Sequence, residues 1–304
     1  MTDLYLITGF LGAGKTTFLH RFAGLFSDKR IAIIVNEFGK TGIDGALLKD
    51  LDIELTEINN GSIFCSCQIE QFDKAVRFIM ENRRPDLIFV EASGLSDPTA
   101  VRAIFAPGAF SGLEYAGGIC LVDAVRFHKV YQTARVCRMQ LAASDLVLIN
   151  KTDLASREQI DDITSIALAQ KPERPIHETV FGAFDAHWLD EIQNGGGETG
   201  SAEGHIRDIN LQKLTLSVSG FDCNTLRSFL SMVAEDTYRI KGFVQIGNAL
   251  YMADCVGPLV ELKPYSGEVA EPNRLVVLYG HGLPAKKAIR EAIARFPDCQ
   301  AEIL

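Results

Sequence analysis

The chain has no apolar run long enough to cross a bilayer, which excludes a helical membrane span. Its first residues, MTDLYLITGF, lack a basic segment followed by an apolar stretch, so no secretory signal is read and a cytoplasmic protein is expected. Positive charge is in deficit. With 30 Lys and Arg against 39 Asp and Glu, the formal net charge is −9, which argues against a nucleic-acid partner because phosphate binding needs a basic face. Seven cysteines, an odd number without an export signal, argue against a disulfide framework. Five of them, Cys120, Cys137, Cys223, Cys255 and Cys299, stand isolated and read as small apolar filler. The six histidines do not cluster, and no repeat or heptad run occurs.

What is present is a 304-residue chain, 47% hydrophobic, long enough for one large domain or two ordinary ones. Its first two-thirds alternates β-branched runs with helical patterns, the signature of a parallel α/β sheet with helices on both faces. Strands are predicted at Leu4 to Thr8, Ile31 to Asn36, Leu87 to Glu91, Gly118 to Asp123 and Leu146 to Asn150. Phe18, Leu19, Phe22, Leu25 and Phe26 recur at helical spacing and should cover one sheet face. A breaker-rich stretch, NGGGETGSAEG, then reads as a linker. Beyond it the pattern turns to α+β, with strands near 214–218, 242–246, 250–254 and 275–279 and helices near 225–234 and 286–296. The expected division is 1–193, a linker at 194–207, and a smaller C-terminal domain at 208–304.

Gly9 to Thr16 fits G-x-x-x-x-G-K-[ST] between an apolar strand and an amphipathic helix, where a P-loop must sit. Gly9, Gly12, Ala13 and Gly14 let backbone N–H groups approach phosphates, Lys15 can reach the β- and γ-phosphates, and the Thr16 hydroxyl can ligate Mg²⁺. Thr17, at the helix start, is the expected α-phosphate contact. Asn150, Lys151 and Asp153 form N-K-x-D at the end of the run DLVLIN. A carboxylate there can accept the N1–H and the N2 amine of guanine, an edge adenine lacks, while the Lys151 stem can cover the base. GTP is therefore the expected nucleotide.

Glu91 ends the run DLIFVE and is suitably placed to hold Mg²⁺ or its water shell, and Gly94 could bring an N–H towards the γ-phosphate. Glu37, after the second strand, and Asp44 are candidates for a switch loop and for positioning the attacking water. Asp44 serves equally well as the N-cap of a helix begun by ALLKD. Cys65 and Cys67, one residue apart, suit Zn²⁺, Co²⁺ or Cu⁺. Two thiolates do not close a tetrahedral site, so Glu37, a histidine or a second subunit would have to contribute.

Taken together these residues resemble the CobW family of P-loop GTPases, relatives of the metallochaperones HypB and UreG. GFLGAGKTT, VNEFGKTGIDGALL, EASGLSDP, VDAVRF and QLAASDLVLINKTDL occur in family order, and RIKGFVQIGN with the final helix looks like the family's C-terminal domain. The resemblance implies slow intrinsic GTP hydrolysis coupled to delivery of a metal ion or cofactor to a client protein. It also implies Glu37 and the family cysteine motif as metal ligands near the nucleotide. Here the chain departs from the pattern: Asn60-Gly61-Ser62-Ile63-Phe64-Cys65 stands where the family reads N-G-C-x-C-C. Only the last family cysteine is kept, and Cys67 is added. The linker, often histidine-rich in the family, has glycines and a single His205.

Two functions follow as expectations. One is a GTPase metallochaperone in which Mg-GTP orders the switches and so changes the geometry at Glu37, Cys65 and Cys67. No arginine in the switch segments reads as a catalytic finger, so turnover should await a client or a homodimer contact. The other is a GTP-gated regulatory chaperone of a client such as a corrinoid protein, with no metal and with structural or redox-sensing cysteines.

Overall fold

The computed structural model describes residues 1–26, 28–36, 54–58, 66–92, 94, 98, 110–192, 211–257, 259–267, 269–280 and 282–304. For residues 36, 54–58, 66–71 and 211 only the backbone is described. The chain divides into two compact units, Met1–Tyr131 with Arg135–Arg207, and Gln132–Ala134 with Asp208–Leu304.

The first unit is built on seven parallel strands: β1 (Thr2–Thr8), β2 (Ile31–Asn36), β3 (Glu54–Ile58), β4 (Leu87–Glu91), β5 (Leu113–Asp123), β6 (Leu146–Asn150) and β7 (Ile176–Thr179). Their order across the sheet is β3-β2-β4-β1-β5-β6-β7. The central strands read as unbroken apolar runs because both of their faces are covered. Alternation decides which side each residue joins. Tyr5, Ile7, Ile33, Phe89, Ile119 and Leu121 meet Phe18, Leu19 and Phe22 of α1 (Lys15–Gly24). Leu4, Leu6, Ala32, Ile34, Ile88 and Val90 meet Phe72, Val76 and Ile79 of α2 (Ser66–Asn82).

The α1 face is unusually aromatic. The Phe22 ring lies 4.8 Å from Phe18, 5.3 Å from Phe26, and 4.7 Å from both Phe89 and Phe184. Burying one such ring stabilises the fold by about 1.5–3 kcal/mol. Leu25 departs from the periodic reading: it is 45% exposed, whereas Phe18, Leu19 and Phe22 are fully buried. The helix ends at Gly24 with Leu25 as its cap residue, and the face is continued instead by Phe26, which is buried with its ring 6.2 Å from that of Phe89.

Further helices among the described residues are α3 (Phe127–Thr133), α4 (Arg135–Ala143) and α5 (Arg157–Gln170). Ser156 starts α5 with a reciprocal capping box. Its hydroxyl accepts the Gln159 N–H, and the Gln159 side chain accepts the Ser156 N–H.

The second unit carries a six-stranded antiparallel sheet ordered β11-β10-β9-β12-β8-β13. The strands are β8 (Leu211–Ser219), β9 (Arg239–Ile246), β10 (Ala249–Val256), β11 (Leu259–Tyr265), β12 (Arg274–Gly280) and β13 (Gln300–Ile303). Helices α6 (Cys223–Ala234) and α7 (Ala285–Arg295) share one core with a single sheet face. Leu226, Phe229 and Val233 from α6 and Ile289 and Ala292 from α7 pack with Leu216, Val218, Ile240, Ala253 and Val277. The expected α+β arrangement is thus present, with two further strands, β11 and β13, at its edges.

Candidate nucleotide site

The site begins where β1 runs into α1, at the centre of the sheet. Chain connections on either side of β1 lead to opposite halves, from β1 to β2 on one side and from β4 across to β5 on the other. In open α/β sheets ligands bind outside the carboxyl ends of strands at such a switch point. Residues 9–14 form the loop there. Gly9 has φ +141° and Gly14 φ +99°. A Cβ on Gly9 would lie 2.4 Å from the Leu121 carbonyl oxygen, and one on Gly14 would lie 2.5 Å from Asn150 Nδ2. Only glycine permits both the backbone angle and the approach to neighbouring strand ends.

Among the described residues, no side chain caps the amino end of α1. The N–H groups of its first turn therefore point out along the helix axis into the loop, the arrangement that receives a phosphate. Lys15 is buried, and its ammonium donates to the carbonyls of Gly9 at 3.0 Å and Phe10 at 3.5 Å, across the width of the loop. Thr16 is half-exposed and Thr17 exposed on that first turn.

Asn150 acts as a brace. Its Nδ2 donates to the Ala13 carbonyl at 2.9 Å, and its Oδ1 accepts the Gly182 N–H at 3.0 Å. It thereby ties the loop to the turn at 180–183, where Phe181 and Gly182 both have positive φ and Ala183 N–H donates to the Val180 carbonyl. A Cβ on Gly182 would meet the Phe18 backbone at 2.9 Å, so this turn lies against the start of α1. Lys151 takes a left-handed conformation, φ +65°, which costs a non-glycine residue about 1–2 kcal/mol. Asp153 is exposed in the single 3₁₀ turn Thr152–Leu154 that follows. The sequence reading missed the 180–183 turn. Its signal was the Phe-Gly pair one residue past a short strand.

Glu91 is buried at the carboxyl end of β4, level with Ile7 of β1 and Val35 of β2. Gly94 presses on the loop: a Cβ there would lie 2.8 Å from the Leu11 backbone nitrogen. Its carbonyl accepts a 3.2 Å hydrogen bond from the buried Gln140 side chain of α4, a residue to which the sequence reading gave no role. Phe10, Leu11, Cys120, Cys137 and Gln140 line a cavity of about 20 Å³ behind the loop, room for roughly one water.

The structure thus brings together Gly9, Gly12, Ala13, Gly14, Lys15, Thr16, Thr17, Gly94, Asn150 and Lys151, with Glu91 at the adjoining strand end. Glu37, Asp44 and Cys65 lie outside the described residues, as does the expected linker, and Cys67 is described only as backbone in the first turn of α2. Asn36 and Ile58 are register partners at the carboxyl ends of β2 and β3. Glu37 follows the first, and the Cys65–Cys67 segment comes a few residues after the second. Among the described residues, no group of three or more His, Cys, Asp and Glu could hold a metal ion, and no helix is long and apolar enough to cross a membrane.

A glycine loop between a central parallel strand and an uncapped helix, braced by the asparagine of N-K-x-D, defines a P-loop nucleotide-binding fold. The chain belongs to the CobW/HypB/UreG family. The family's nucleotide-binding domain matches residues 3–178, and the cobalamin synthesis protein cobW C-terminal domain matches residues 217–296. It is 31% identical to the zinc chaperone YeiR of Escherichia coli (strain K12) over 218 residues, 70% of this chain and 66% of that protein. It is 26% identical to the zinc-regulated GTPase metalloprotein activator 1 of Schizosaccharomyces pombe over 73% of this chain and 57% of that one. The chain spans about half to two thirds of the length of the curated relatives it matches. Among solved structures, Zn(II)-bound YjiA GTPase from E. coli is similar at 20% identity, covering 97% of this chain and 98% of that one with a TM-score of 0.49.

Proposed function

We propose that this chain is a GTPase of the cytoplasm that couples Mg-GTP binding and hydrolysis to delivery of a transition metal, zinc first, to a client protein. The observation that carries the nucleotide half is the Asn150 brace, which joins the phosphate loop at Ala13 to the strand end bearing Lys151 and Asp153. Phosphates would lie on the N–H groups from Gly9 to Thr17 with Lys15 against the β- and γ-phosphates. Thr16 and Glu91 would hold Mg²⁺, which supplies charge neutralisation across the phosphates when bound. The hydroxyl of half-exposed Thr16 and the strand-end carboxylate of Glu91 are the hard oxygen donors this ion prefers. Gly94, packed on Leu11, would carry the presence of the γ-phosphate into the segment after β4.

The metal half has different support. Relatives bear the name zinc chaperone, and β2 and β3, the strands that precede Glu37 and the Cys65–Cys67 segment in the chain, are neighbours whose last register pair is Asn36 and Ile58. Glu37, Cys65 and Cys67 are the proposed ligands of the cargo ion, with Glu37 and Asp44 also candidates for setting the attacking water. The C-terminal unit is the proposed client-facing domain.

Competition between GTP and ATP, read by Kd in wild type and in Asp153→Asn, tests the nucleotide assignment. Wild type should prefer GTP. The variant should bind GTP about thirtyfold more weakly, the loss of one charge-assisted contact worth about 2 kcal/mol. It should gain relative affinity for xanthosine triphosphate, because the new amide meets the xanthine carbonyl. ATP competing equally in wild type would overturn the guanine reading.

A further inference from the structure

Lys151 does not stand alone at the end of β6. Its ammonium lies 2.5 Å from Asp123 Oδ2, with Asp123 buried and Lys151 half-buried. The other carboxylate oxygen of Asp123 accepts the Val125 N–H at 3.0 Å and the Arg126 N–H at 3.2 Å, so a tight turn holds the carboxylate in place. Asp123 and Asn150 are register partners at the carboxyl ends of β5 and β6, and Ala124 N–H donates to the Asn150 carbonyl at 2.9 Å. The backbone on both sides of the pair is therefore fixed. Between those fixed ends runs the apolar stem of Lys151, whose direction is set by the left-handed backbone at one end and by Asp123 at the other.

We infer that Asp123 is a positioning residue for the nucleotide base, holding the Lys151 ammonium so that the lysine stem forms a flat apolar floor under the purine. The inference rests on the guanine-nucleotide reading above. Asp153 reads the hydrogen-bonding edge of the base and so distinguishes guanine, while the Asp123–Lys151 pair supports the base plane and does not distinguish one purine from another. Without Asp123 the ammonium would follow solvent, and the stem, with several rotatable bonds, would leave the floor.

The experiment is a double-mutant cycle on the full chain, with Kd measured for guanosine diphosphate and inosine diphosphate. Inosine lacks the exocyclic amine that Asp153 is expected to accept. Asp123→Asn keeps an acceptor for the Val125 and Arg126 N–H groups, and Lys151→Met keeps the stem without its charge. Each single variant should raise Kd for both nucleotides by a similar factor, roughly fivefold. The guanosine-to-inosine ratio should stay at its wild-type value. The double variant should bind no worse than the weaker single variant, since both remove one interaction. Melting of each variant without nucleotide separates misfolding from lost positioning, and Lys151→Met reports on the same pair if Asp123→Asn unfolds. Additive losses, an unchanged Kd in Asp123→Asn, or a changed guanosine-to-inosine ratio would overturn the role of Asp123. A wild type that binds neither nucleotide would instead sink the site reading beneath it.

Discussion

At the scale of single residues, burial separates the cysteines by what each can do. Burial pushes the Cys120 and Cys255 thiols up to about 12 and raises Cys137 as well, so at neutral pH all three stay protonated and inert. Cys223 and Cys299 are half-exposed, so apolar filler describes three of the five isolated cysteines. Brief treatment of the native protein with a thiol-alkylating reagent, followed by peptide mass mapping, should label Cys223 and Cys299. Cys120, Cys137 and Cys255 should label only after denaturation. Early labelling of Cys120 would mean that the packing behind the phosphate loop opens in solution, since Cys120 lines the cavity there.

The elements show how local chemistry sets where structure starts and stops. Helix α6 begins at Asp222, whose carboxylate accepts the N–H groups of Thr225 and Asn224, both at 2.8 Å, while Thr225 Oγ1 accepts the Asp222 N–H. The Thr225 hydrogen bonds, foremost among these contacts, hold the carboxyl below its ordinary value. A group depressed in this way contributes stability that is present above its unfolded pKa and lost as pH falls through the folded one. Asp222→Asn keeps an acceptor without the charge. The melting temperature of the wild type should therefore exceed that of the variant at pH 7, and the gap should close as the pH drops below about 4. A gap independent of pH would mean that the charge adds nothing to the cap.

For the molecule as a whole, the proposed coupling has a thermodynamic signature. If Glu37 is shared between nucleotide switch and metal site, nucleotide must change Zn²⁺ affinity, and Zn²⁺ must change nucleotide affinity by the same factor. Titrating Zn²⁺ with and without a non-hydrolysable GTP analogue measures the first factor, and the converse titration measures the second. Changing Cys65 and Cys67 together to serine should weaken Zn²⁺ at least about tenfold while leaving nucleotide binding nearly intact, because a hydroxyl is a far poorer ligand for this ion than a thiolate. Equal Zn²⁺ affinities in both nucleotide states would favour the metal-free regulatory chaperone.

The sequence alone determined the phosphate loop, the five inner strands of the first sheet and the change of architecture after the glycine-rich stretch. Those features are written in short-range patterns: glycine spacing before Lys15, and apolar runs such as LIFVE and LVLIN that only a doubly covered strand requires. The four strands it did not predict, β3, β7, β11 and β13, are the edges of the two sheets. An edge strand is covered less and can carry polar residues, as Ile176–Thr179 does with IHET, so its apolar pattern fades. Tertiary structure alone decided the partnerships. That Asn150 would brace Ala13, that Gly182 would abut Phe18, that Gln140 would hold Gly94, and that Asp123 would hold Lys151 depends on parallel strands ending side by side and on the turns and helices that adjoin those ends. Strand order and register place residues 28 to 137 positions apart within hydrogen-bonding distance. No local pattern encodes that order, because it is set by which faces must be buried together across the whole sheet.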